Sequence, residues 1–170
     1  MKRVGIVLAL IVCCAVGCST VPQAAQELVG KQTPEARLML LDGEHVALRS
    51  KAGTNVAILF WATWCAHSRG AIADFEGLAE RYAHRGDLEF YAVSVDKNDD
   101  FESLKNRIES QKLHALTHVF SGNDVQDEAF LGLRGTHIPY AVFIDSRGVV
   151  RFVGMGTGGL ENFLDSKFRS

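Results

Sequence analysis

The sequence predicts an α/β fold with a mixed, mainly parallel central sheet that is flanked by helices. Short apolar runs of strand length alternate with longer segments in which apolar residues recur every three or four positions. This alternation is typical of strands that are connected through helices packed on the sheet. One run, VAILFW at 56–61, contains no polar residue, as expected of a central strand that is buried on both faces.

An N-terminal β-hairpin is predicted first, at 37–48, because Asp42-Gly43 separates two short apolar-rich stretches. The strand at 56–61 follows it. The remaining predicted elements are, in chain order, a helix at 66–85, a strand at 88–95, a helix from Asp99 through Ile108, a short strand at 118–120, a short helix at 125–131, strands at 140–144 and 149–153 joined by a turn, and a helix at 160–168.

The N-terminus has the pattern of an export signal. Two basic residues precede an uncharged apolar run at 4–16, which is too short for a comfortable membrane span and typical of a signal peptide. The small residues before Cys18 resemble a bacterial lipobox, although Ala15 stands where a lipobox usually has leucine. Ordinary secretion or a retained anchor is the alternative.

We therefore expect a lipoprotein signal peptide at 1–17, a lipidated Cys18 that begins a tether at 18–33, and a folded domain at 34–170. This arrangement predicts an extracytoplasmic domain that is held at a membrane by its lipid. Ser19 after the cysteine points to the outer membrane if the host is Gram-negative.

The positions of the four cysteines limit which thiols the exported domain can use. Cys13 and Cys14 lie in the predicted signal peptide and Cys18 is the predicted lipidation site, so the exported domain keeps one free thiol, Cys65. That thiol either reacts with partners or is buried and inert. The formal net charge of −2, without any Lys/Arg run, gives no reason to expect a nucleic-acid partner.

Cys65 lies in the segment FWATWCAHSR, directly after the strand at 56–61. Ligand chemistry in such a sheet occurs at the carboxyl ends of the strands. The segment resembles the active site of the thioredoxin superfamily, and the hairpin sequence LDGEHVAL resembles the TlpA/ResA-like branch of membrane-tethered redoxins, of AhpC/TSA type. The segment GTHIPYAVFIDSRGVVRFVG is similar to the family's stretch around a cis proline. The resemblance implies a thioredoxin-like fold.

The resemblance also implies roles for single residues. Cys65 matches the attacking cysteine, Pro139 the cis proline that faces it, and Ile138 the residue whose backbone pairs with a bound peptide. Two positions depart from the family pattern. Ser68 stands where the resolving cysteine is expected, and Leu59 replaces a buried acidic or amide residue. Both losses affect the second half of a dithiol reaction.

We expect Cys65 to be a nucleophile at the N-terminus of the helix at 66–85, where backbone N–H groups and the helix dipole stabilise a thiolate. The imidazolium of His67 would add positive charge, and Ser68 could donate a hydrogen bond to the thiolate. Trp64 is expected to form a docking surface with Ile138 and Pro139, whereas Trp61 is expected in the core.

The predicted function is thiol–disulfide exchange with protein thiols or disulfides, through a mixed disulfide at Cys65 that an external thiol reductant releases. No cofactor is expected. One alternative is a binding module that has kept the fold but not the redox chemistry.

Two further alternatives fit the residues less well. A thiol peroxidase would place Thr or Ser three residues before the cysteine, where this chain has Ala62. A copper or zinc site could use Cys65, His67 and His137, but the two-cysteine pattern of the copper carriers is missing. Asp96, at the end of a predicted strand, either reaches the rim of the site or caps a loop.

Overall fold

The computed structural model describes residues 21–48 and 53–168. The predicted signal peptide and the lipidation site Cys18 lie outside these residues. Within the described ranges, no helix is long and apolar enough to cross a membrane.

Apart from α1, which the sequence did not predict, the helices and strands follow the predicted order. They are α1 (Gln23–Gln26), β1 (Arg37–Met39), β2 (His45–Ala47), β3 (Asn55–Trp61), α2 (Ala66–Tyr82), β4 (Leu88–Ser94), α3 (Phe101–Gln111), β5 (Thr117–Phe120), α4 (Glu128–Gly132), β6 (Tyr140–Ile144), β7 (Val150–Met155) and α5 (Gly158–Phe168). Short 3₁₀ helices precede α3 and α4.

Five strands form the central sheet, in the order β5-β4-β3-β6-β7. β3, β4 and β5 are parallel to one another, whereas β6 and β7 are antiparallel to their neighbours. This confirms the predicted mixed sheet. β3 is the middle strand, and the loop that follows it therefore opens at the carboxyl edge of the parallel half, where ligand chemistry is expected.

The strand β3 is buried along its whole length because both faces of the sheet are covered. Ala57, Leu59 and Trp61 face the core layer formed with α2, α3 and α5. Val56, Ile58 and Phe60 alternate with them and face the opposite layer. A strand buried on both faces has no need of alternating polar residues, which explains the unbroken apolar run in the sequence.

Two turns make the antiparallel connections. β1 and β2 form the predicted hairpin as a separate two-stranded sheet, and a bridge from Leu40 to Val119 attaches that hairpin to the β5 side of the central sheet. Between β6 and β7, the Asp145 carboxylate accepts hydrogen bonds from the backbone N–H groups of Arg147 and Val149 and from Arg151 Nε. Burial would raise the pKa of Asp145, but these donors hold the pKa below its ordinary value.

Residues 21–33, which belong to the predicted tether, make several contacts with the sheet. Ala25 in α1 is fully buried. Downstream of it, Gly30 N–H donates to Val150 O at 2.8 Å, Val150 N–H to Lys31 O at 2.9 Å, and Thr33 N–H to Gly148 O at 2.8 Å. The last part of this segment therefore lies along the beginning of β7. The domain boundary at residue 33 stays a prediction.

Candidate active site

The loop at 62–65 connects the central strand β3 to the helix α2. It is held by hydrogen bonds at three of its backbone N–H groups. Cys65 N–H donates to Ala62 O at 3.3 Å, Ala62 N–H donates to Ser68 Oγ at 3.4 Å, and Thr63 N–H donates to the Asp96 carboxylate. The loop is thus tied to both α2 and the end of β4.

Cys65 is the residue that caps the N-terminus of α2. Its backbone is extended, with φ −85° and ψ 116°, while Ala66 is already helical. The side chain is partly buried and has no disulfide partner. The thiol therefore lies where the free N–H groups of a helix and its dipole favour a negative charge.

The segment before β6 lies directly against Cys65. Sγ of Cys65 contacts the carbonyl oxygen of Ile138 at 3.9 Å, and the Ile138–Pro139 peptide bond is cis, as the resemblance implied. The sheet explains this proximity, because Tyr140 pairs with Phe60 across β3 and β6. Two residues earlier, the chain therefore passes the loop that follows β3.

Tyr140 and Gly135 hold the chain on either side of the cis proline. The Tyr140 hydroxyl donates to Leu133 O at 2.9 Å, and its ring stacks on Phe60 with centroids 5.9 Å apart. Burial raises the pKa of Tyr140, so the phenol stays protonated and remains a donor. A side chain at Gly135 would collide with the ring of Phe130, which explains why glycine stands there.

Ser68 is fully buried in the first turn of α2. Its Oγ accepts the hydrogen bond from Ala62 N–H, and within the described residues it has no hydrogen bond to the Cys65 thiol. A hydroxyl that accepts one hydrogen bond can still donate another, so the expected hydrogen bond from Ser68 to a Cys65 thiolate stays a prediction. Leu59 is also fully buried, so no acidic group stands behind Ser68 at that position of β3.

Asp96 is the candidate residue whose role the sequence left most open. It is fully buried after the end of β4, and its carboxylate accepts hydrogen bonds from Thr63 N–H, Thr63 Oγ1 and Ser94 Oγ. Of the two roles considered from sequence, the structure supports the loop cap. An acidic residue just beyond a buried parallel strand was the signal, but its partner lies 33 positions earlier in the chain.

The remaining predicted site residues are on the surface around the thiol segment. Trp64 is 57% exposed, an unusual exposure for so large an apolar side chain, whereas Trp61 is buried in the core. His67 and His137 are both exposed, and His137 Nδ1 contacts Thr136 Oγ1. In the described part of the chain, no three His, Cys, Asp or Glu side chains are grouped to hold a metal ion. Cys65, His67 and His137 are therefore not assembled as a metal site.

A thiol at the start of the helix after the central strand, facing a cis proline before an antiparallel strand, defines a thioredoxin-like redoxin. The sequence profile of the AhpC/TSA family matches residues 29–153. The chain therefore belongs to the AhpC/TSA family.

Curated relatives resemble the chain over most of its length. The chain is 27% identical over 135 residues to the thioredoxin-like protein YneN of Bacillus subtilis, a match that covers 75% of this chain and 72% of the relative. It is 24% identical over 124 residues to the thiol-disulfide oxidoreductase ResA of Bacillus thuringiensis, covering 71% and 70%.

Solved structures share the fold. A thiol-disulfide oxidoreductase from Bacteroides fragilis superposes with a TM-score of 0.72 at 18% identity, covering 81% of this chain and all of that one. At this identity the likeness concerns the fold alone. It confirms the thioredoxin-like α/β architecture that the sequence predicted.

Proposed function

We propose that this protein carries out thiol–disulfide exchange on protein substrates through a mixed disulfide at Cys65. Membership of the AhpC/TSA family and the relatives named as thiol-disulfide oxidoreductases support redox chemistry of this type. The observation that carries the proposal is the position of the Cys65 thiol, at the N-terminus of α2 and 3.9 Å from the Ile138 carbonyl beside a cis proline.

The first step is an exchange without net oxidation. The Cys65 thiolate attacks one sulfur of a substrate disulfide, that S–S bond breaks, and the other substrate sulfur leaves as a thiolate. A new S–S bond then joins Cys65 to the substrate. The helix N-terminus favours the attacking thiolate, and the exposed His67 adds positive charge near it when protonated.

The second step needs a thiol from outside the site. Ser68 cannot attack a disulfide. The buried Leu59 stands where an acidic side chain would deprotonate a resolving thiol. Either a second substrate thiol or an external thiol reductant must displace Cys65. The first route rearranges substrate disulfides. In the second, one reductant thiol attacks the Cys65 sulfur and releases the reduced substrate, and a second reductant thiol then displaces Cys65, so that the reductant is oxidised to its disulfide. Both return Cys65 to its thiol form.

We assign substrate docking to the exposed Trp64 and the half-buried Ile138; Pro139, the third residue predicted to take part, is itself buried. Trp64 offers a large exposed apolar face, and such faces are typical of protein-binding sites. The Ile138 backbone lies beside the sulfur and could pair with an extended substrate segment. We further propose that the lipidated Cys18 anchors this domain on the outer side of a membrane.

Peroxide reduction is less well supported. Thr63 is the hydroxyl residue nearest in sequence to Cys65 on its N-terminal side, and its proton is donated to Asp96 Oδ1 at 2.7 Å. That proton is not free to hold a peroxide next to the thiol. A binding module without redox turnover remains the alternative from another class.

Partner trapping tests the proposal. Cells that produce the tagged chain are quenched with acid and alkylated, and adducts are compared for the wild type, Cys65→Ser and Cys65→Ala. We expect protein adducts that a reducing agent releases, only with Cys65 present. If both variants still replace the wild-type gene in cells and no such adducts form, the binding module is favoured.

A further inference from the structure

The carboxylate of Asp96 is buried next to the candidate active site without an ionic partner. Its residue is 0% exposed, and no ion pair of Asp96 is found in the described part of the chain. A buried charge is costly unless hydrogen-bond donors replace water. The donors around Asp96 therefore show what this carboxylate stabilises.

Two residues supply these donors. Ser94 Oγ donates to Oδ2 at 2.6 Å, and Ser94 lies two residues before Asp96 at the end of β4. Thr63 donates twice, with its hydroxyl to Oδ1 at 2.7 Å and with its backbone N–H to both oxygens at 3.1 Å. Hydrogen bonds to a carboxylate are short and roughly twice as strong as neutral ones.

The Thr63 contacts join the loop of the thiol to the neighbouring strand. Trp61 pairs with Ser94 in the sheet, so the chain after β3 and the chain after β4 leave the sheet side by side. Thr63 is two residues before Cys65, and the same loop is held on its other side by Ser68 Oγ. Asp96 therefore fixes the position from which the loop enters α2.

We infer that Asp96 is a positioning residue for the Cys65 thiol, acting through Thr63. The inference rests on the proposed exchange function. Asp96 does not touch the substrate or the sulfur; it keeps the loop at 62–65 in the conformation that sets Cys65 at the N-terminus of α2 and against the Ile138 carbonyl. Small displacements of a reacting group are sufficient to slow a reaction strongly.

The test compares four variants with the wild type. Asp96→Asn keeps the shape but turns one acceptor oxygen into an N–H donor. Thr63 N–H donates to both oxygens, so it loses one of its two acceptors in either orientation of the amide. Thr63→Val removes the hydroxyl donor from the loop, and Thr63→Ser keeps it. Ser94→Ala is the matched control, because it removes a donor to the same carboxylate that does not belong to the loop.

The readouts are the rate at which Cys65 reacts with dithiodipyridine in the folded protein and the melting temperature of each variant. Asp96→Asn and Thr63→Val are expected to react at least about tenfold more slowly than wild type, and Thr63→Ser to recover most of the rate. Ser94→Ala is expected to lose stability with little change in rate. Equal rates in Asp96→Asn and wild type, or equal slowing by Ser94→Ala, would overturn the inference.

Hydrogen exchange of the Thr63 and Cys65 amides separates this inference from the proposed function. If the wild-type thiol does not react at all, the exchange function fails, while positioning is still tested. Faster exchange at these two amides in Asp96→Asn, but not in Ser94→Ala, supports the positioning role. Unchanged exchange in Asp96→Asn overturns it.

Discussion

Ser68 stands where the family pattern has a resolving cysteine, and it contributes a structural contact in place of a second thiol. It is fully buried one turn into α2, and its hydroxyl binds the backbone of the loop at Ala62. A hydroxyl can hold that loop but cannot attack a mixed disulfide. The residue therefore keeps a structural contact while leaving Cys65 without an internal partner.

Ser68→Cys is expected to restore a dithiol. The two sulfurs would stand in the Cys-x-x-Cys spacing at a helix N-terminus, where such pairs form a disulfide. Under an oxidant, the variant should lose both free thiols of this motif to a 65–68 disulfide, as seen by peptide mapping. Ser68→Ala, which loses the hydroxyl without adding sulfur, is the control. Two free thiols after oxidation would contradict this geometry.

His118 is a half-buried titratable residue on β5. Its ring Nε2 contacts Leu113 O at 2.7 Å, and since a carbonyl only accepts, Nε2 carries the proton. Burial lowers the pKa of His118, reinforced by His114, while the Leu113 bond and Glu76 oppose the shift. The folded protein thus binds a proton at His118 less readily than the unfolded chain does.

The sign of the pH effect follows from this lowered pKa. Its contribution to stability is fully present above the ordinary histidine pKa of 6.5 and is lost as pH falls through the lower folded value. Melting temperatures should therefore fall less between neutral and acidic pH in His118→Gln, whose amide can still donate to Leu113. His84→Gln, at an exposed histidine, should retain the wild-type slope. Identical slopes in all three proteins would contradict this account.

At the scale of elements, the described part of the N-terminal segment makes contacts with the central sheet and its core. α1 buries Ala25, and residues 30–33 pair with the turn and start of β7. These backbone bonds cover the outer edge of β7 only at its first residue, Val150, where that edge would otherwise be open to another strand. A lipid at Cys18 would then hold the domain close to the membrane, because fewer residues are left as a free linker.

Ala25→Asp tests the docking of α1. A carboxylate at this buried position would lose its water. The free energy of unfolding, measured in a urea titration, should therefore fall by about 2–4 kcal/mol. Ala24→Asp places the same group on the exposed neighbouring position. This variant should change the free energy of unfolding by less than about 0.5 kcal/mol. Equal effects at both positions would mean that α1 does not pack as described.

For the whole molecule, patterns of side chains made the fold predictable. The unbroken apolar run of β3, the helical period of α2 and the turn at 145–148 each specify an element locally. The cysteine and proline segments then identified the fold, because both carry the family's own residue pattern. Their physical proximity follows from the pairing of β3 with β6.

What escaped prediction depends on contacts that leave no pattern. Residues 30–33 bind the sheet through backbone groups, which every residue carries, so their side chains show no period. The Thr63–Asp96 bonds join residues 33 positions apart. The partner of Ser68 Oγ, the backbone N–H of Ala62, lies six residues earlier and outside the helix. Only the three-dimensional arrangement decides between such partners.

The measurement that tests the central claim most directly is a mixed-disulfide assay on the folded protein. The chain is incubated with oxidised glutathione, and peptide mapping by mass spectrometry locates the adduct, with Cys65→Ser as the control. We predict one glutathione on Cys65 of the native protein, released completely by added thiol, and none at position 65 of the control. A Cys65 that stays unmodified until the protein is unfolded would contradict the proposed exchange chemistry.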